Sequence, residues 1–281
     1  MEDAKKVRIT ARLREYILRY DSQNKAANSL KNVSPATISQ MLNEKWELIK
    51  DDMWRNVASQ IGYEETEWVG AETRDFKILT SLLRNAQMHS NVFAIVGDAG
   101  TGKSFALKTY AENNRKVHII CCAEYWTRKV FLQELLASMG KEINGYNLNT
   151  MMVHVIEALK KEQDPLVILD EADKLSDSVL YFFITLYNQL EDHAGIVLCA
   201  TKYLERRLKS GIAHNKKGYN EIYSRVGRKC VELKGLSRTD ITAVCMANGI
   251  TEKEGINDIM DDCESDLRRV KRKIHALKNM A

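Results

Sequence analysis

Residues 92–113, VFAIVGDAGTGKSFALKTYAEN, allow few folds. An uninterrupted apolar run ends in Gly97, Gly100 and Gly102, and an amphipathic stretch begins at once. Such a run reads as a strand covered on both faces, and the stretch after it as a helix laid back on the sheet. Four more apolar runs, VHIICC, PLVILD, GIVLCAT and KCVEL, recur between helical patterns. That alternation predicts an α/β core over residues 71–234, a parallel sheet with helices on both faces.

The flanks read differently. Residues 1–62 hold only short helical patterns, and GYEETEWVG, covering the acidic linker 63–70, has no apolar period. After Gly235 the strand patterns stop, so residues 235–281 form a small helical lid. Within the first block, SQNKAANSLKNVSPATISQMLN reads as helix, turn, helix. Ala26, Ala27 and Leu30 supply a packing face and Val33 plugs the turn. Ser34 caps a second helix with Pro35 in its first turn, and Ile38, Met41 and Leu42 face inward. Thr37 and Gln40 are left outward, short polar side chains of the kind that enter a DNA groove. The segment resembles the phage-repressor type of helix-turn-helix.

Net charge is only +4, but it is unevenly spread. Lys202 to Arg238 carries 11 basic and 3 acidic residues, Asp240 to Asp266 carries 8 acids and 1 lysine, and the last 15 residues carry 6 basic residues and no acid. Clustered positive charge suits a polyanion, and a solvated helix face gives the same count. The start, MEDAKKVRIT, is no secretory signal, and no apolar run reaches membrane-spanning length. Six cysteines without a CxxC pair, three of them at or beside strand-like runs, read as small buried thiols in a reducing setting, and the expected location is cytoplasmic.

The glycine-rich stretch carries the chemistry. It fits G-x-x-x-x-G-K-[ST] between a strand and a helix, where glycines let backbone amides close around phosphate oxygens. The binding set is Gly97, Asp98, Ala99, Gly100, Thr101, Gly102, Lys103, Ser104 and Phe105. Lys103 supplies a cation for the terminal phosphates of ATP, and the Ser104 hydroxyl ligates Mg²⁺. PLVILDEADKL ends a second strand in two acids. Asp170 can hold the Mg²⁺ hydration shell, and Glu171 can deprotonate the attacking water.

From residue 71 onward the chain resembles an AAA+ ATPase. That resemblance makes GIVLCAT the strand that ends in a γ-phosphate sensor, Thr201. It makes YSRVGRKCVEL the source of an arginine finger for the neighbouring subunit, Arg225. ESDLRRVKR resembles the second sensor helix, with Arg268 at the arginine position and Ser265 in place of the usual glycine. Joined to a helix-turn-helix, the whole is similar to transposition regulators of the phage Mu B type. The resemblance implies ATP-dependent assembly into a ring or filament on double-stranded DNA, largely independent of sequence. It also implies recruitment of a DNA transposase and release on hydrolysis. It places DNA at Thr127, Arg128 and Lys129, after the second strand; Lys216 and Lys217, in AHNKKGY, form a second basic candidate. A helicase loader and an ATP-sensing repressor without turnover are the alternatives; Glu171 and Arg225 speak against the latter.

Overall fold

The structure, a computed structural model, describes residues 1–63, 68–142 and 145–280; residues 64–67 of the linker lie outside them. Four helices come first: α1 (Asp3–Ile17), α2 (Gln23–Asn28), α3 (Pro35–Leu42) and α4 (Asp51–Gln60). Ser22 and Ser34 start α2 and α3 by accepting hydrogen bonds from the Lys25 and Thr37 amides, which satisfies donors that a helix end leaves orphaned. Ile9, Leu13, Ala27, Met41, Trp54 and Val57 centre a core that these helices share among themselves. Ile38 and Met41 are buried as expected, whereas Leu42, the last residue of α3, is only partly so.

The next elements are α5 (Arg74–His89), β1 (Val92–Val96), α6 (Lys103–Asn113), β2 (Val117–Cys121), α7 (Arg128–Ser138), α8 (Leu148–Lys160) and β3 (Leu166–Asp170). Then come α9 (Asp177–Leu180), α10 (Phe182–Leu190), β4 (Gly195–Ala200), α11 (Tyr203–Ala213), α12 (Tyr219–Arg225) and β5 (Cys230–Glu232). All five strands pair in parallel, in the order β2-β3-β4-β1-β5. Successive side chains on a strand point to opposite faces, and here both faces are dry. Val167, Leu169, Ile196 and Leu198 face α7, α8 and α10, while Ile168, Val197 and Cys199 face α5 and α6. Continuous apolar runs are the direct result. Five cysteines are buried, but Cys121 is exposed, a departure from the expected buried thiols. It is the last residue of β2, where the strand leaves the helical cover.

Three helices close the chain: α13 (Arg238–Ala247), α14 (Lys253–Asp262) and α15 (Leu267–Met280). Ile241, Cys245, Ile259, Val270 and Ile274 form their own core, with Trp68 and Ala71 packed against it. Two buried acids tie this unit to the sheet. Asp75 accepts from the Lys234 and Gly235 amides, and Asp240 accepts from the Arg74 amide. Among the described residues no helix is long and apolar enough to cross a membrane.

Candidate functional site

Parallel strands present their carboxyl ends to the same side, and the loops there form the natural ligand crevice. Gly97 follows β1, Asp170 ends β3 and Thr201 follows β4, so sheet topology alone gathers three distant segments. Asp170 and Thr201 line one pocket of about 300 Å³, together with Ala99 to Phe105, Glu171 and Arg268, whereas Gly97 and Asp98 fall outside its lining.

The loop before α6 turns its backbone inward. Gly102 caps the helix at φ 92°, a conformation that only glycine adopts without strain. The Lys103 ammonium donates to the loop's own carbonyls, Gly97 O at 2.8 Å and Asp98 O at 2.6 Å. Those bonds can pass to phosphate oxygens without moving the backbone. Asp98 itself is exposed and pairs with Lys202 at 3.2 Å.

Asp170 is buried, and burial pushes its carboxyl above the ordinary range. The Ser104 hydroxyl and the Glu171 amide hydrogen-bond the carboxylate and pull it back. A buried acid touching the loop's own hydroxyl is a donor set that fits a hard divalent cation. Glu171 sits at φ 55°, in the left-handed region that side chains avoid. Its carboxylate accepts from the Lys174 ammonium at 2.5 Å and from the Cys121 thiol at 3.7 Å. The Thr201 hydroxyl donates to Asp173.

The carboxy-terminal helices close the pocket. Leu267 N donates to Gly100 O at 2.9 Å, and a Cβ on Gly100 would meet the Asp266 carboxyl at 2.2 Å. Ser265 takes φ 59° where the sequence pattern has glycine, and α15 begins just beyond it with Arg268 in its first turn. The far end of the pocket is apolar, built by Trp68, Ala71, Phe76, Phe105 and Val244. Of this end, the sequence-predicted set contained Phe105 alone. The other visible signal there is Trp68, a lone large apolar residue in an acidic stretch. The Trp68–Gly70 end of the linker is held, because Asn248 exchanges two hydrogen bonds with the Val69 backbone.

Residues 85–208, from the end of α5 into α11, match the AAA domain family. The Mu-like prophage FluMu DNA transposition protein B of Haemophilus influenzae is 23% identical over 235 residues, covering 80% of this chain and 79% of that protein. Residues 85–208 thus match an AAA domain, and most of the chain is similar to a Mu-like transposition protein B.

The remaining sites named from the sequence lie outside the pocket. Arg225 ends α12, where it donates to Asn188 Oδ1 at 2.8 Å and lies over the Tyr187 ring, away from the pocket of its own chain. Thr127 caps α7 and is followed by exposed Arg128 and Lys129. Lys216 and Lys217 are exposed in the turn between α11 and α12. Thr37 and Gln40 are half-buried on α3, with the Thr37 hydroxyl bonded to that of Ser34. The DNA candidates therefore fall on three separate places.

Proposed function

We propose that this chain binds ATP with Mg²⁺, assembles on double-stranded DNA in the ATP state, engages a DNA transposase, and leaves on hydrolysis. The observation that carries the reading is a single pocket joining the phosphate loop, two acids at the end of β3 and an arginine from the carboxy-terminal helices. Lys103 and the amides of Gly100 to Lys103 hold the phosphates, while Trp68, Phe76 and Phe105 take the base. Ser104 and Asp170 hold the cation, which neutralises charge on the phosphates. Glu171 accepts the proton of the attacking water, and for that its carboxylate must leave Lys174. Thr201 and Arg268 sense the γ-phosphate from opposite sides, so the closing helices act as a lid.

Arg225 has no reach into its own pocket, and we assign it to the neighbouring subunit's site, where its charge completes the transition state. Hydrolysis then needs assembly. Many subunits, each adding phosphate contacts from Arg128 and Lys129, give tight, salt-sensitive and sequence-blind DNA binding. Helices α2 and α3 read as the helix-turn-helix, a further grip on DNA. Electron microscopy of the chain with random-sequence DNA tests this: ATP should give continuous rings or filaments on the duplex. Isolated particles with ATP and without it alike would contradict the reading.

A further inference from the structure

The amino-terminal helices and the sheet keep separate apolar cores, and no buried apolar cluster among the described residues spans them. What joins them is charge. Arg12 and Arg19 reach Glu112 of α6 at 2.6 and 3.5 Å, Lys116 and Arg115 reach Asp21 at 2.9 and 3.5 Å, and Lys31 reaches Glu134 of α7 at 2.7 Å. These contacts surround a cleft of about 470 Å³ along the outer edge of β2. The approach is close at one point, where Gly140 lies so near the Lys25 backbone that a Cβ would come within 2.5 Å of its carbonyl oxygen.

Lys31 is held for a choice of partner. Its amide donates to Gln60, and its carbonyl accepts from Asn56 and Gln60, so the backbone is fixed while the ammonium points to Glu134. It lies in the turn between α2 and α3, beside the cap of α3. Each carboxylate on the core side occupies the position a phosphate oxygen would take against the same cation.

We propose that Arg12, Arg19 and Lys31 form a face for the DNA backbone that Glu112 and Glu134 cover, so that duplex DNA and the sheet domain compete for it. The inference rests on the DNA-binding reading above. Lys31 is exposed and the Arg12, Arg19 and Glu112 side chains remain partly open to solvent, so salt weakens these pairs and a polyanion can compete for the cations. DNA binding and lifting of the amino-terminal helices are then reciprocally coupled.

The test uses the full chain with a random-sequence duplex, the double variant Glu112→Gln/Glu134→Gln, and the charge-matched control Glu254→Gln/Asp258→Asn on exposed positions of α14. Loss of the three pairs that Glu112 and Glu134 make should raise DNA affinity about threefold to tenfold, beyond any gain in the control. Hydrogen exchange at Val117–Cys121, the edge strand lining the cleft, should rise in the double variant without DNA. The swap Lys31→Glu/Glu134→Lys keeps a pair but leaves an acid on the DNA face, so it should bind below wild type with β2 still protected. Equal affinity of the double variant and the control, with wild type binding DNA normally, would overturn the covered face alone. Absence of DNA binding by every form would overturn the DNA reading, and the covered face with it.

Discussion

The pocket at the carboxyl ends of the strands and the amino-terminal helices place different demands on the chain. The pocket is set by a few residues of restricted type: Gly102 at φ 92°, Lys103 folded onto the loop carbonyls, and Asp170 buried against Ser104. The amino-terminal helices are set by burial, through Trp54, Met41 and Leu13, and by two serine caps. The first kind of region spells its chemistry in its sequence. The second spells only its fold.

Several perturbations should separate the two regions. The largest effect is expected from Trp54→Ala, which empties the centre of the amino-terminal core at a cost of about 3–5 kcal/mol. Calorimetry should show an early transition for that region, while nucleotide still raises the melting temperature of the rest. A single merged transition would tie the regions more tightly than their separate cores imply. Next, Glu171→Gln should bind ATP as wild type does and hydrolyse it about 10²-fold more slowly or worse. Unchanged turnover in a steady-state assay would remove Glu171 from the mechanism.

Lys103→Ala removes a charged donor to phosphate, a loss of about 1.5–3 kcal/mol, so ATP affinity should fall roughly tenfold to a hundredfold by titration calorimetry. The melting of the amino-terminal helices should not move. The smallest effect is expected from Lys174→Met. It releases a half-exposed pair on Glu171, so turnover without DNA should rise by no more than about fivefold, with KM unchanged. Lys174→Arg should retain the wild-type rate.

Much of this was legible before the fold. The five apolar runs became the five strands because both sheet faces are dry, which removes the polar alternation that would have blurred them. The glycine-rich loop before α6 and the acids at the end of β3 were legible because a strand, a glycine turn and a helix leave a short, restrictive pattern. The apolar end of the pocket was not, since Phe76 and Val244 are ordinary core residues until the closing helices are placed. Nor was the Lys174–Glu171 pair, which depends on the left-handed turn at Glu171. The seam beneath the amino-terminal helices was equally hidden, because Glu112 and Glu134 look like any solvated acids on a helix.

The central claim is that nucleotide in the pocket governs the hold on DNA. Its most direct measurement is the affinity of the full chain for a random-sequence duplex at one fixed salt concentration, with a non-hydrolysable ATP analogue, with ADP, and with no nucleotide. The expected result is tight binding with the analogue alone, and loss of that gain in Lys103→Ala. Equal affinity under all three conditions, or a gain that survives Lys103→Ala, would contradict the account.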